Sequence, residues 1–184
     1  NTLEKEGMNV NTKSGRVISA RRMILDLLLA NHCQDCFSCV KNGACELQKY
    51  CNEYGVEYSS YPATRSGEER KNSHPFLSYR PELCIHCQRC VGTCEHVTGR
   101  KAIGLGKAGV FNIIKAPFGP DWKTTLCESC GNCAQACPTG AITEKRKKYY
   151  REWEVEKVRT TCPHCATGCQ YDLLVKDNRI VDVQ

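Results

Sequence analysis

The sequence predicts an α+β fold made of small modules, each organised around a group of cysteines. Three observations predict this. Cysteine accounts for 16 of the 184 residues, far above ordinary usage, which indicates either a disulfide framework or bound metal. Two early stretches have helical periodicity, whereas the last stretch holds two β-rich runs around a turn. A chain of this length has room for only a small apolar core.

The first predicted helix covers residues 14–30. Ser14 is a suitable N-cap, and apolar side chains recur at helical spacing at Val17, Ala20, Ile24, Leu27 and Leu28. Arg21-Arg22 before an apolar stretch also occurs in export signals, but Asp26 interrupts this stretch and no small-residue cleavage site follows. We therefore expect an amphipathic helix in a cytoplasmic protein. Cytoplasmic thiols stay reduced, which favours metal over disulfides.

A second helix is predicted over residues 46–54. Its shared face holds Leu47, Tyr50, Cys51 and Tyr54, and Gly55 is the expected C-terminal stop. Because Cys51 lies on this apolar face, we expect it to be a buried thiol rather than a ligand.

The other segments are connectors and strands. Residues 57–75 are polar and rich in turn formers, so they predict an exposed connector, and residues 110–114 predict a strand. The basic run 145–151 marks a second boundary; its tyrosines would suit RNA, but a solvated linker is the commoner explanation. Runs 171–175 and 180–183 flank the turn pair Asp177-Asn178 and predict a hairpin. Since no apolar run approaches the roughly 18 residues that cross a bilayer, no membrane span is predicted.

Two segments repeat one cysteine spacing. They are Cys84-x2-Cys87-x2-Cys90-x3-Cys94 and Cys127-x2-Cys130-x2-Cys133-x3-Cys137-Pro138. Three cysteines at steps of three wrap a loop around a cubane [4Fe–4S] cluster, and in two-cluster ferredoxins the fourth cysteine ligates the other cluster. Zinc sites use separated cysteine pairs instead. Residues 76–145 thus resemble a bacterial-type two-cluster ferredoxin, with one cluster on Cys84, Cys87, Cys90 and Cys137 and the other on Cys127, Cys130, Cys133 and Cys94.

A different pattern, His32-x3-Cys36-x2-Cys39-x5-Cys45, lies upstream. A lone histidine is usually a satisfied surface or core residue, but at this spacing from three cysteines His32 is a candidate fourth ligand. Iron–sulfur clusters and zinc both accept imidazole and thiolate, so the spacing alone leaves both open.

Four short segments around this pattern are Gly7-Met8-Asn9-Val10-Asn11-Thr12, Arg21-Arg22, Leu27-Leu28-Leu29 and Cys45-Glu46-Leu47-Gln48. Together they resemble the large iron–sulfur subunit of respiratory complex I and its relatives. Those relatives include NAD(P)-linked formate dehydrogenases and iron-only hydrogenases. The resemblance implies a His/Cys3 [4Fe–4S] cluster on His32, Cys36, Cys39 and Cys45. Cys33 and Cys51 fall outside the pattern and receive no role.

The last motif is Cys162-Pro163-His164-Cys165-Ala166-Thr167-Gly168-Cys169. With the hairpin that follows, it resembles the entry to the molybdopterin oxidoreductase domain of formate dehydrogenases rather than an iron-only hydrogenase. The resemblance implies a further [4Fe–4S] cluster on Cys162, Cys165 and Cys169. No cysteine follows Cys169 in these residues, so a fourth ligand is absent from them.

These motifs predict three modules. Residues 1–56 form the His/Cys3 module, residues 57–155 the linker and ferredoxin-like domain, and residues 156–184 the start of the molybdopterin domain. Because family members begin with a [2Fe–2S] domain and continue into a molybdenum or tungsten bis-pterin domain, we expect an interior section of a larger formate dehydrogenase subunit.

Charge and site chemistry complete the prediction. The formal net charge of +6 suggests nucleic acid, but three complete clusters with their ligands contribute about −5, which leaves about +1. No constellation for substrate catalysis stands out. The chain is therefore predicted to conduct electrons within a hetero-oligomer. The electrons would come from a molybdenum or tungsten site outside these residues. They would leave to FMN- and NAD(P)-binding subunits, or to ferredoxin or hydrogenase subunits. A complex I-like or bifurcating-hydrogenase subunit is one alternative; a zinc-binding nucleic-acid or scaffold protein is another.

Overall fold

The computed structural model describes residue 3 and residues 5–62, 74–106, 113–115, 125–145 and 150–184. Within these ranges the protein is a mixed arrangement of short helices and small sheets. In chain order the elements are α1 (Gly15–Leu29), α2 (Glu46–Tyr54), β1 (Leu77–Tyr79), a 3-10 turn (Pro81–Leu83), α3 (Arg89–Gly92), a π-helical turn (Thr93–Val97), β2 (Gly104–Gly106), β3 (Ile113–Lys115), α4 (Asn132–Ala136), β4 (Ile142–Glu144), a second 3-10 turn (Glu152–Glu154), β5 (Glu156–Thr161), β6 (Gln170–Lys176) and β7 (Arg179–Val183).

Both predicted helices are present with the expected caps. The Ser14 side chain accepts a hydrogen bond from the Val17 N–H at 3.4 Å and begins α1. Gly55 ends α2 in the left-handed conformation, with a φ of 64°. The arginine pair joins the two helices, since Arg21 donates to the Tyr54 hydroxyl at 2.7 Å and Arg22 to the Tyr54 carbonyl at 2.8 Å.

The buried face of α1 differs from the predicted one. Leu25 and Leu29 are buried against Leu47 and Cys51 of α2. Cys51 is therefore buried, as predicted. Ile24 and Leu27, which were predicted to face inward, are exposed. The run is apolar on almost every side of the helix, so periodicity does not select one face. On α2, Tyr50 is likewise exposed and not part of the buried face.

The region that resembles a ferredoxin contains two similar halves. Each half runs from a strand through a cysteine loop and a short helix to a second strand. Strand β1 of the first half pairs antiparallel with β4 of the second, and β2 pairs antiparallel with β3. This exchange of outer strands brings the two cysteine loops around a common core, which includes Cys90, Cys133 and Cys137 with Leu77, Leu83 and Ile142.

The last residues form a three-stranded antiparallel sheet in the order β5-β6-β7. The predicted hairpin is β6 and β7, and its turn residues Asp177 and Asn178 have φ values of 49° and 58°, as a two-residue type I′ turn requires. Strand β5 was not predicted. Its sequence is largely polar and its residues are mostly exposed, so it lacks the apolar alternation of a typical strand.

The predicted connectors fall partly outside the described residues, which exclude 63–73, 110–112 and 146–149. Residues 57–62 are mostly exposed, as predicted, but the connectors do not stay exposed to their far ends. His74 and Tyr150, at the far ends of the two connectors, are both buried. Among the described residues, no helix has the length and apolar character that crossing a membrane requires.

Candidate metal centres

The first candidate centre, the Cys84 site, comprises Cys84, Cys87, Cys90 and Cys137. All four line one cavity with an empty volume of about 320 Å³, part of which is open to solvent. Cys90 and Cys137 are buried, whereas Cys87 is exposed. The structure therefore brings the distant Cys137 to the same cavity as the three cysteines of the first loop.

The second centre, the Cys127 site, comprises Cys94, Cys127, Cys130 and Cys133. These four cysteines line a separate cavity with an empty volume of about 350 Å³. Here the first half of the region supplies only Cys94, so the two halves exchange their last cysteines. The assignment of these two sets of four cysteines to two clusters remains a prediction; the structure shows that each set lines one cavity.

The two cysteine loops have the same backbone path. His86 and Ser129, two residues after the first cysteine of each loop, have φ values of 56° and 59°. Gln88 and Gly131, which follow the second cysteine, have φ values of 61° and 78°. Two left-handed residues so close together bend each loop around its cavity.

The most buried thiol of each cysteine loop, Cys90 or Cys133, has a raised pKa. Burial, and then the neighbouring Cys84, Cys137 and Cys87, raise the pKa of Cys90 to about 12. Burial, and then Cys130 and Cys127, raise the pKa of Cys133 to about 12. Closely spaced buried thiolates repel one another, so they need a cationic partner to ionise together. The iron of a cluster would be such a partner.

The third centre, the His32 site, comprises His32, Cys36, Cys39 and Cys45. Burial raises the pKa of Cys36, and the charges of Cys45 and Cys39 raise it further. The Nδ1 atom of His32 is buried and has no hydrogen-bond partner. Burial also lowers the pKa of His32, which favours the neutral, metal-binding imidazole. An unpaired buried nitrogen is costly, and a metal bond would satisfy it.

Two further thiols lie beside the His32 site. Cys33 packs against the core that contains Cys39, and it contributes to the raised pKa of Cys36. Burial raises the pKa of Cys51, with Cys45 and Cys36 as the next causes. The sequence pattern excluded both residues, and neither is needed to complete the set of four ligands.

The His32 site and the Cys84 site are in direct contact. The Glu46 N–H, next to Cys45, donates to the Pro138 carbonyl, next to Cys137, at 3.0 Å. Cys137 also helps to raise the pKa of Cys45, after burial and Cys39. Gly140 lies so close that a Cβ atom there would be 2.8 Å from Cys39 Sγ. The two loops therefore pack with almost no intervening side chain.

The fourth centre, the Cys162 site, comprises Cys162, Cys165 and Cys169. The Cys162 N–H donates to the Cys169 carbonyl at 2.8 Å, which closes the loop. Cys165 and Cys169 are exposed, and hydrogen bonding with the side chain and backbone of Thr167 lowers the pKa of Cys165.

The segment that leads to the Cys162 site docks on the His32 site. The Arg151 guanidinium donates to the carbonyls of Phe37 at 2.7 Å and Cys39 at 3.0 Å. Trp153 lies against Gly43, where a Cβ atom would be 2.9 Å from its ring. Residues more than 100 positions apart thus meet around the His32 loop.

The donor chemistry of the cysteine sets suits an iron–sulfur cluster. The four thiols of the Cys84 site line one cavity, and the four of the Cys127 site line another. A [4Fe–4S] cluster takes four thiolate ligands, so each set would supply the full number. Among the residues that the structure describes, no group of three or more His, Cys, Asp or Glu side chains lies close enough together to hold a single metal ion.

Sequence reasoning missed two polar residues near these sites. His74 and Thr139 are fully buried. The Thr139 hydroxyl donates to the Leu83 carbonyl at 2.8 Å, beside the first cysteine loop. Their contacts with Cys127 and with the Leu83 carbonyl join residues more than 50 positions apart, so the local sequence does not reveal these contacts.

Three family models match the chain in succession. Residues 21–60 match the NADH-ubiquinone oxidoreductase-G iron-sulfur binding region. Residues 74–143 match the ferredoxin-like domain of NADH-quinone oxidoreductase subunit 3. Residues 155–184 match the molybdopterin oxidoreductase Fe4S4 domain.

Individual proteins are similar over nearly the whole chain. A G-type subunit of the NADH-quinone oxidoreductase from Rhizobium meliloti is 37% identical over 92% of this chain and 20% of its own length. The alpha subunit of an NADPH-Fe(3+) oxidoreductase from Geobacter sulfurreducens is 34% identical over 98% of this chain and 21% of its own. A candidate formate dehydrogenase of Staphylococcus haemolyticus is 25% identical over 100% of this chain and 23% of its own. The chain thus spans about a fifth of the length of these relatives.

A solved structure has a similar fold. The crystal structure of an NAD+-reducing [NiFe]-hydrogenase in the H2-reduced state matches with a TM-score of 0.71 and 26% identity. The match covers 80% of this chain and 63% of that chain.

Proposed function

This chain is an iron–sulfur region of the kind that NADH-ubiquinone oxidoreductase G-like and molybdopterin oxidoreductase subunits carry, and from that premise we propose that it relays single electrons within an NAD(P)-linked oxidoreductase complex. The observation that carries the proposal is the contact between successive cysteine sites. A mononuclear structural site would need no neighbour, whereas a relay needs its sites side by side.

The residues proposed to hold the clusters are those of the four sites. A [4Fe–4S] cluster supplies reversible one-electron exchange, at a potential set by its ligands, charge and surroundings. The chain contributes burial, since Cys39, Cys90, Cys133 and Cys137 are in its core. Burial excludes water and makes the potential depend on nearby hydrogen bonds and charges.

The contacts support an order for the relay. The Cys127 and Cys84 sites share one core and exchange cysteines. The Cys84 site touches the His32 site through Pro138 and Gly140. The segment before the Cys162 site docks on the His32 loop through Arg151 and Trp153. We therefore place the His32 site between the ferredoxin-like pair and the Cys162 module.

A finer proposal is that the complex is a formate dehydrogenase. It is supported by the match of residues 155–184 to a molybdopterin oxidoreductase domain and by the similarity to the candidate formate dehydrogenase. The higher identities to NADH-quinone and NADPH-Fe(3+) oxidoreductase subunits support a complex I-like or NADPH-linked alternative. In each case the expected partners are flavin- and NAD(P)-binding subunits, so the assembly is a hetero-oligomer.

The native complex that contains this chain distinguishes these proposals. After anaerobic purification, its visible absorption should bleach with NADH or NADPH, because the sites accept electrons from that partner. If formate also bleaches it and molybdenum or tungsten is present, the formate dehydrogenase proposal is supported. Bleaching by NAD(P)H without formate response or either metal supports the alternative. A protein that dithionite bleaches but NAD(P)H and formate do not would contradict the relay proposal.

The complex with Cys133→Ala is a matched variant. Because Cys133 lines the Cys127 site alone, the variant should contain about four fewer iron atoms per chain than the wild-type complex.

A further inference from the structure

His74 has a fixed ring orientation beside the Cys127 site. Its side chain is fully buried. Its Nδ1 atom accepts hydrogen bonds from the backbone N–H groups of Phe76 at 3.2 Å and Leu77 at 3.0 Å. A ring nitrogen that accepts two hydrogen bonds carries no proton. The ring proton of His74 is therefore on Nε2.

The protonated nitrogen faces a cysteine sulfur. His74 Nε2 is 3.6 Å from Cys127 Sγ and 3.5 Å from the Ser129 hydroxyl oxygen. The same sulfur accepts the Ser129 backbone N–H at 3.4 Å. Cys127 Sγ thus has two N–H groups within hydrogen-bonding distance of it.

A purely structural role for His74 explains only half of this geometry. The backbone N–H groups of Phe76 and Leu77 need only one acceptor atom, which His74 Nδ1 provides. In turns, an Asn or Asp side chain commonly provides such an acceptor. The second ring nitrogen, which reaches Cys127, plays no part in those hydrogen bonds.

We propose that His74 raises the reduction potential of the cluster at the Cys127 site by donating its Nε2–H to Cys127 Sγ. Reduction adds one electron to the cluster and makes its sulfurs more negative, so a hydrogen-bond donor stabilises the reduced form more than the oxidised form. This inference rests on the proposed function, because it requires a redox-active cluster at that site.

Two substitutions test the Nε2–H donor to Cys127 separately from the Nδ1 acceptor for the Phe76 and Leu77 N–H groups. His74→Asn keeps an acceptor at the position of Nδ1 but has no group that reaches Cys127. His74→Gln loses that acceptor but extends an amide N–H towards the sulfur. His96→Asn is the matched control, since it makes the same change near Cys94 at a side chain that is 76% exposed.

The readout is a redox titration of the full protein in its complex, followed by electron paramagnetic resonance, with iron content measured in parallel. The cluster of the Cys127 site is identified as the one whose signal changes in Cys127→Ser. We expect His74→Asn to lower the midpoint potential of that cluster alone, His74→Gln to shift it less, and His96→Asn to leave it unchanged. Unchanged potentials at full iron content in His74→Asn would overturn the inference.

A second measurement decides the matter if His74→Asn loses the cluster. In wild-type protein with 15N-labelled histidine rings, electron–nuclear resonance of the reduced Cys127-site cluster should detect one weakly coupled nitrogen. Absence of that coupling would overturn the inference. If the wild-type protein shows no cluster signal at this site, the proposed function itself fails.

Discussion

The Arg89 guanidinium binds both carboxylate oxygens of Glu46, with N···O distances of 2.6 and 2.9 Å. Glu46 follows Cys45 of the His32 site, and Arg89 precedes Cys90 of the Cys84 site. The ion pair therefore joins two cysteine loops that are 43 residues apart in the chain. It also lowers the pKa of Glu46, chiefly through the hydrogen bond from Arg89.

The first prediction concerns the strength of this ion pair. Its side chains are 51% and 45% exposed, so solvent screens the attraction. In a double-mutant cycle with Glu46→Gln and Arg89→Gln, we expect a coupling free energy of at most about 1 kcal/mol. Chemical unfolding of the four anaerobic proteins measures it. A coupling of several kcal/mol would show that the pair is more important than its exposure indicates.

The second prediction concerns the contact between Gly140 and the His32 site. A Cβ atom at Gly140 would lie 2.8 Å from Cys39 Sγ and 3.2 Å from Leu83 Cδ1, both in the buried core. We expect Gly140→Ala to lower the free energy of unfolding by about 1–3 kcal/mol and to alter the resonance signal of the His32-site cluster.

Gly92→Ala is the control for that substitution. Gly92 is helical and has nothing within 4 Å of an added Cβ atom, so alanine there should be neutral or stabilise by up to about 1 kcal/mol. If both variants unfold alike, the close contact between Gly140 and Cys39 has no energetic effect.

The third prediction concerns His32 as a ligand. Replacing neutral imidazole with thiolate adds one negative charge to the site, which disfavours further reduction. We therefore expect His32→Cys to lower the midpoint potential of one cluster, measured by a redox titration, while the other clusters keep theirs. A titration identical to that of the wild-type protein would contradict the assignment of His32.

The fourth prediction separates ligands from neighbouring thiols. Cys33→Ser and Cys51→Ala should keep the full iron content, because neither residue belongs to a proposed ligand set. Cys39→Ala should lose the cluster of the His32 site and its iron, about four atoms per chain. Iron analysis of the three variants tests this, and iron loss in Cys33→Ser would place Cys33 among the ligands.

The elements with distinct end signals were predictable from sequence. Ser14, Gly55 and Asp177-Asn178 set local backbone geometry, and α1, α2 and the β6–β7 hairpin end within a few residues of the predicted positions. The assignment of the eight ferredoxin-like cysteines to two clusters stays a prediction. The spacing suggested two sets of four, and two cavities are lined by those sets.

Other features depend on contacts that have no local sequence signal. The inward face of α1 could not be selected, because the apolar run at its C-terminal end covers nearly every side of the helix and the partner α2 decides which leucines are buried. The docking of Arg151 on the Phe37 and Cys39 carbonyls joins residues 112 and 114 positions apart. His74 lies in a segment predicted as an exposed connector, yet it is buried and its Nε2 atom lies 3.6 Å from Cys127 Sγ, 53 positions along the chain.

Metal and sulfide analysis of anaerobically purified protein tests the central claim most directly. Three complete sets of four ligands predict about twelve iron atoms and twelve acid-labile sulfides per chain, with a brown colour that dithionite bleaches. Colourless protein that contains zinc and no acid-labile sulfide would contradict the account.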